Sequence, residues 1–195
     1  EDSYLPSEFD ITDKLHAGIN NIAVRVYRFT TGSLLECQDY WRLTGITRDV
    51  YLWSAPKTHI KDFFFRTTEL KAGNTSAESA ITVNIDGEKF KKVSLEAQLL
   101  DGDRVLATQT AEIIKSGEIE LTFPTITGIT AWSAEMPRLY DLVITLKERS
   151  KSTDIRALKV GFRTVKVRDD GALLVNGNRI IFHGVNRHSF SEKGG

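Results

Sequence analysis

Alternation of apolar and polar residues at every second position is the feature that most limits what this chain can become. Ile22, Val24 and Val26 alternate with Ala23, Arg25 and Tyr27, the pattern of a strand with one face in a core; a surface helix would repeat its apolar residues every three or four positions. The same period runs through His59 to Thr68, Ala80 to Asp86, Lys92 to Leu100, Val105 to Glu112, Glu118 to Phe123, Tyr140 to Lys147 and Ile155 to Arg163. Seven such runs within about 100 residues predict an all-β fold, an immunoglobulin-like seven-stranded β-sandwich. The antibody form is excluded, because it needs two cysteines flanking a tryptophan and the single cysteine, Cys37, precedes all seven runs.

Turn chemistry points the same way. Asp86-Gly87 ends one run, Asp101-Gly102 separates two others, and Asn176-Gly177 joins Leu173-Leu174-Val175 to Arg179-Ile180-Ile181-Phe182. Asp-Gly and Asn-Gly suit type I′ hairpins, whose two central residues both take positive φ. The stretch from Lys71 to Ser76 reads as an exposed loop. Helical signals are confined to one turn, Thr12-Asp13-Lys14-Leu15 before Gly18. Pro56 follows the apolar Val50 to Trp53 run and should end a strand there, since proline cannot donate to a central ladder. A second boundary falls at Arg163-Thr164.

Composition narrows the function classes. The 195 residues hold 26 Lys and Arg against 26 Asp and Glu, so there is no basic excess for a phosphate backbone or an anionic leaflet, and neither nucleic acid nor membrane is an expected partner. Apolar runs such as Phe63-Phe64-Phe65 and Leu99-Leu100 are broken by charges well before the ~18 residues of a membrane span. The lone Cys37 has no second thiol for a disulfide or a zinc site. The first residues, Glu1 to Pro6, carry no signal-peptide pattern, and Ser189 to Gly195 follow an apolar stretch without closing any element. The expectation is a soluble slice of a longer chain, of undetermined compartment.

Local motifs for chemistry are few. There is no Gly-x-Ser-x-Gly, no phosphate-binding glycine loop, and no metal-ligand spacing among His16, His59, His183 and His188. Carboxylate pairs for glycoside hydrolysis meet only in the fold and leave no spacing to read.

Longer strings say more. The segment from Glu36 to Leu52, containing Gln38-Asp39-Tyr40-Trp41-Arg42, resembles the close of the N-terminal sugar-binding jelly roll of glycoside hydrolase family 2, in its β-galactosidase branch. Trp132-Ser133-Ala134-Glu135-Met136-Pro137-Arg138-Leu139-Tyr140 resembles that family's entry into a late strand of its immunoglobulin-like domain. Gly161-Phe162-Arg163, then Leu174-Val175-Asn176-Gly177 and His183-Gly184-Val185-Asn186-Arg187-His188, resembles the crossing into the catalytic (β/α)8 barrel. The three strings occur in the family's order.

The resemblance implies three parts: residues 1–56 as the tail of the jelly roll, 57–163 as the immunoglobulin-like sandwich, and 164–195 as the start of the barrel. It implies a parent that hydrolyses terminal β-galactosides with retention, through an acid/base Glu and a nucleophilic Glu beyond residue 195, so that this chain alone is inactive. Asp39 matches a jelly-roll aspartate that contacts the sugar and, in some members, a sodium ion; a carboxylate suits both tasks. His188 matches a histidine at the end of the first barrel strand that hydrogen-bonds a galactosyl hydroxyl. No cofactor is expected within the fragment, with magnesium and sodium belonging to the parent, which the family leads one to expect as a homo-oligomer. Arg48 and Asp49 are expected to pair at a domain seam, and Trp41, Trp53 and Trp132 to pack between sheets or domains. Asn186 and Arg187 are expected to organise the strand end. Ser189-Phe190 stands where family members commonly carry Glu-His, and Cys37 where they commonly carry an acid, which bears on aglycone preference more than on galactose. Two alternatives stay open: a family 2 β-glucuronidase or β-mannosidase relative, and a non-catalytic immunoglobulin-like binding module.

Overall fold

The computed structural model describes residues 6–35, 45–46, 48–71 and 73–186. They fall into two compact units, Trp53–Val185 and a second comprising Glu1–Leu52 with Asn186–Gly195.

The first unit holds every strand found among the described residues. In chain order these are β1 (His59–Lys71), β2 (Ser76–Asp86), β3 (Val93–Asp101), β4 (Arg104–Ile113), β5 (Gly117–Thr127), β6 (Tyr140–Glu148) and β7 (Lys151–Val160), followed by short β8 (Val165–Val167), β9 (Leu173–Val175) and β10 (Asn178–Arg179). All seven expected runs are strands. They form a three-stranded sheet, β1-β2-β5, and a four-stranded sheet, β4-β3-β6-β7, with antiparallel pairing throughout. The fourth strand joins the sheet of the third.

Strict alternation explains the packing. In β3, Val93, Leu95, Ala97 and Leu99 are buried while the residues between them are half-buried, and β6 repeats this with Tyr140, Leu142, Ile144 and Leu146. From the other sheet Ile81, Val83 and Ile85 of β2 and Leu121 and Phe123 of β5 join the same interior. Ser79 is the buried residue whose hydroxyl lacks a partner among the described atoms. Pro124 sits where the β2–β5 register shifts, on a strand that pairs on one side only, the place a sheet tolerates proline.

One polar bridge ties the sheets. Asp154 of β7 is buried; its carboxylate accepts a hydrogen bond from the Ile60 backbone N–H of β1 at 2.9 Å and pairs with Arg156 at 3.2 Å. Arg156 in turn donates to the Ile60 carbonyl at 3.4 Å. Two side chains of one sheet thus satisfy both backbone groups of a residue in the other.

The turns follow the expected chemistry at one site and depart from it at others. Val175 pairs with Asn178 around Asn176-Gly177, with φ of 51° and 79°, the both-positive signature of type I′. Between β3 and β4 the central residues are Gly102-Asp103, and only Gly102 has positive φ, so the type I′ expectation fails there and the glycine takes the first position, as in type II′. Gly87 is needed for close approach, since a Cβ there would lie 2.6 Å from the Thr58 hydroxyl. The β6–β7 hairpin is closed by Arg149 and Ser150, both left-handed at φ 50° and 68°, with no glycine to advertise it. The expected exposed loop at 71–76 is a turn at 73–75, exposed at Lys71, Gly73 and Thr75, and closed by a buried Ser76 opposite Lys71.

Other expectations are corrected. Ile22, Val24 and Val26 form no strand and are 50–62% exposed, and residues 50–53 likewise form none. A half-buried strand needs a neighbour to hydrogen-bond and a face to cover; among the described residues no strand pairs with either segment. Residues 180–182 are expected as a hairpin arm; strand pairing ends at Arg179, the Ile180 N–H still donates to the Leu173 carbonyl at 3.0 Å, and beyond it Ile181 and Phe182 are 70% and 78% exposed. The expected turn near Thr12 is a 3-10 turn, Thr12–Lys14, whose first N–H is taken by the Asp10 carboxylate at 2.9 Å. A short helix, Thr31–Leu35, adds to it.

Two outcomes follow from this packing. Asp154→Ala should cost about 2–4 kcal/mol in urea unfolding, because it leaves the Ile60 N–H unsatisfied and unpairs Arg156. Replacing Arg149-Ser150 by Asn-Gly should stabilise the protein by about 1 kcal/mol, seen as a rise in melting temperature, because the left-handed backbone then carries little steric cost.

Candidate functional site

The two sugar-contact candidates, Asp39 and His188, lie outside the described residues, as do Cys37, Trp41 and Arg187. What the structure describes is the ground that precedes His183.

That ground is a joint between the sandwich and the β8–β10 hairpin. Trp132, in the β5–β6 connection, donates its backbone N–H to the Phe162 carbonyl at 2.9 Å. Its side chain packs directly on Gly161, where an added Cβ would lie 2.9 Å from the Trp132 Cβ, and the Arg163 guanidinium lies 4.6 Å from its ring centroid. Such a cation over an indole face is favourable by roughly 0.5–2 kcal/mol. Phe162 is fully buried, edge-on to Phe65 and tilted against Tyr140, whose hydroxyl accepts from the Thr130 N–H at 2.8 Å. The Arg163 N–H donates to the Thr67 hydroxyl at 3.1 Å. Gly161-Phe162-Arg163 is therefore a seam, and β7 stops before it because its backbone turns to meet Trp132.

Asn176 completes the joint. Its backbone N–H donates to the Thr164 carbonyl at 2.9 Å, its Oδ1 accepts from the Thr164 N–H at 2.9 Å, and its Nδ2 donates to the Trp132 carbonyl at 2.8 Å. The residue looked from sequence like half of an Asn-Gly turn and nothing more. No periodic or compositional signal announces its second task, since Trp132 lies 44 positions away.

Beyond β10 the chain carries Ile181, Phe182, His183, Val185 and Asn186, all exposed. Arg48 and Asp49 are exposed as well. Trp53 is 64% exposed and meets the His59 ring edge-on at 6.1 Å, while Trp132 is packed as expected. His59 Nδ1 lies 3.0 Å from the Pro56 carbonyl and His16 Nδ1 3.1 Å from the Ala17 carbonyl, local contacts without a carboxylate partner.

Electrostatics at the described carboxylates is structural. Glu78 is held below the usual carboxylate range by a hydrogen bond from the Lys71 ammonium, which is itself raised by Glu78 and Glu69. Asp170 is lowered by its hydrogen bonds from Arg168 and the Ala172 N–H. All lie in strands or turns, Glu78 half-buried and the others exposed. Among the described residues no three His, Cys, Asp or Glu side chains gather as a metal site, and no helix is long and apolar enough to cross a membrane.

The two antiparallel sheets and their shared interior define an immunoglobulin-like β-sandwich domain of the kind found in multidomain glycosidases. Residues 1–56 match the family described as glycosyl hydrolases family 2, sugar binding domain, and residues 58–163 match glycosyl hydrolases family 2. The chain belongs to glycosyl hydrolase family 2. It is 39% identical over 198 residues to a β-galactosidase of Streptococcus thermophilus, 40% identical over 198 residues to one of Priestia megaterium, and 37% identical over 199 residues to one of Clostridium acetobutylicum. These alignments take in 100%, 97% and 100% of this chain but 19%, 19% and 21% of the relatives, so the chain spans about a fifth of their length. Among solved structures, the fold is shared with a Bifidobacterium dentium β-glucuronidase in complex with coumarin-3-O-glucuronide, at TM-score 0.55 and 25% identity over 63% of this chain and 21% of that one. A family 2 member from Bacteroides cellulosilyticus gives TM-score 0.57 at 19% identity over 65% of this chain and 18% of that one.

The close seat of Trp132 on Gly161 gives a direct check. Gly161→Ala should destabilise the protein by about 1–3 kcal/mol, because the new methyl overlaps the indole stem with no flexible atom to yield. The tryptophan near-ultraviolet dichroism should weaken in step.

Proposed function

We propose that this chain is a segment of a family 2 β-galactosidase, in a parent that hydrolyses terminal non-reducing β-D-galactose residues with retention. The observation that carries the reading is the contrast in likeness: 37–40% identity to β-galactosidases across nearly the whole chain, against 25% identity to a β-glucuronidase over 63% of it. The sandwich is common to both activities, so the discriminating residues are those on either side of it.

In this reading residues 1–56 close a jelly roll, 57–163 form the sandwich and 164–195 lead into the barrel. Asp39 accepts hydrogen bonds from galactosyl hydroxyls, and its hard carboxylate oxygens suit a sodium ion beside the sugar. His188 hydrogen-bonds a galactosyl hydroxyl and tightens as charge develops at the anomeric carbon, so its contribution appears in the transition state. The acid/base and nucleophilic glutamates stand on later barrel strands, their carboxyl groups about 5 Å apart as retention requires. The 195-residue chain alone turns over no substrate.

The test is hydrolysis by the full-length protein of chromogenic β-galactoside, β-glucuronide and β-mannoside. Preference for the galactoside, with anomeric configuration retained in the product by NMR, is the expected result; activity confined to the glucuronide or mannoside overturns the assignment. Asp39→Asn and His188→Ala should each lower kcat/KM on the galactoside by about tenfold or more, the scale of losing one hydrogen bond that strengthens in the transition state.

A further inference from the structure

The chain is neutral overall, but its charge is unevenly placed. Register gathers one end of every sandwich strand: His59 lies opposite Asp86, Ile85 opposite Gly117, Val93 opposite both Ile113 and Glu148, and Glu148 opposite Lys151. The lead into β1 and the turns at 87–92, 114–116 and 149–150 all stand at this end. The 87–92 loop holds the others. The Thr58 hydroxyl donates to the Lys89 carbonyl at 3.1 Å, and the Arg149 N–H donates to the Lys92 carbonyl at 2.9 Å. The Gly87 N–H donates to the Ser116 hydroxyl at 3.1 Å, and that hydroxyl donates back to the Gly87 carbonyl at 2.8 Å. Phe90 packs against the sandwich interior and roots the loop.

This framework carries cations. Lys89, Lys91 and Lys92 stand on the loop, Lys57, Lys115 and Arg149 on the segments tied to it, and Lys151 opens β7; the acids beside them are Asp86, Glu88 and Glu148. The seven cations are all exposed, and none has an ion-pair partner among the described residues. At the opposite end the cations are engaged: Lys71 pairs with Glu78, Arg138 with Asp101, and Arg163 covers the Trp132 ring. Like charges on loops that are fastened together repel without being able to part, which opposes folding. An anion laid across them removes that repulsion.

The side chains select among polyanions. Six of the seven cations are lysines, point charges on flexible stems that follow a row of anionic groups without demanding the paired geometry of an arginine fork. Stacking of nucleic-acid bases needs exposed aromatic rings, and Phe90, the aromatic residue of the 87–92 loop, packs inward. Ile114 is exposed beside Lys115, but one isoleucine is little apolar surface for entering a bilayer. Between Pro56 and the β6–β7 turn lies an open depression, bordered also by Glu148, Arg149, Lys151, Ser152 and Thr153. A proline face suits a sugar ring, Glu148 and Ser152 its hydroxyls, and Arg149 and Lys151 a carboxylate or sulfate.

We infer that this end of the sandwich is a binding platform for an acidic polysaccharide, a sugar chain bearing uronate or sulfate groups. The inference is independent of which glycoside the parent cleaves.

The test titrates the full-length protein calorimetrically with heparin and with polygalacturonate. Affinity for at least one should fall about tenfold or more between about 50 mM and about 200 mM salt, as for any polyanion held by several cations. Lys89→Glu/Lys91→Glu/Lys115→Glu should lower affinity by about tenfold or more, whereas Arg104→Glu/Lys166→Glu/Arg179→Glu, the same change of charge away from this end, should lower it by about twofold or less. All six side chains are exposed and none sits on a left-handed backbone, so melting temperatures should stay near that of the parent. A glutamate triple that melts far lower is replaced by the corresponding glutamine triple, which removes the charge without reversing it. Absence of binding to both polysaccharides at the lower salt overturns the inference, and so do equal losses in the two triples. Tighter binding to single-stranded DNA or to phosphatidylserine vesicles than to either polysaccharide overturns the choice of partner.

Discussion

The sandwich depends on two apolar faces that must interleave without any covalent tie. Leu95, Ala97 and Leu99 of β3 and Leu142, Ile144 and Leu146 of β6 lie side by side in one sheet, paired residue for residue. Ile81, Val83 and Ile85 of β2 face them from the other sheet. Slipping either central strand by one position would turn its aliphatic side chains to water and its polar ones inward. Register is thus enforced by burial, and everything else hangs on it: the Asp154 bridge to Ile60, the placement of Tyr140 under Phe162, and the seat of Trp132 on Gly161. No disulfide helps, because the sandwich contains no cysteine.

What the sequence disclosed follows from that same physics. β3 and β6 alternate without a fault and were legible nearly to the residue. β1 was legible in place but not in length: the register shifts at Ile60/Asp62 and Thr67/Glu69 break its period, so its end at Lys71 lay past where alternation could be followed. Ile22 to Val26 has as clean a period as any strand, yet a period reports only that a face could be buried; pairing depends on a neighbour, and none is found among the described residues. The Arg149-Ser150 turn was invisible because its residues are not the ones that take positive φ cheaply. The roles assigned to Asp39 and His188 rested on resemblance, since a sugar contact leaves no local pattern. Asn176 shows the opposite case, a residue rightly placed in a turn whose wider bonding no spacing rule could suggest.

Family membership sits well with this division of labour. The family match over residues 58–163 falls on the sandwich, whose described polar side chains bond within and between its sheets. Lys147 pairs with Glu96 across β6 and β3, Arg138 with Asp101 beside the β3–β4 turn, and the Trp132 joint fastens the outgoing hairpin.

The odd number of sandwich strands has a mechanical meaning. β1 begins beside the base of β7, where Ile60 meets Asp154, and β7 ends at Val160 opposite Tyr140, next to the far end of β1 where Thr67 meets Arg163. The polypeptide therefore arrives at one end of the domain and departs from the other, after a ten-residue final strand that spans roughly 33 Å. An even count would have returned it to its starting side. The domain is in effect a strut of fixed length, and inserting two residues within β7 would keep every existing side chain on its own face while moving the point of departure by about 7 Å.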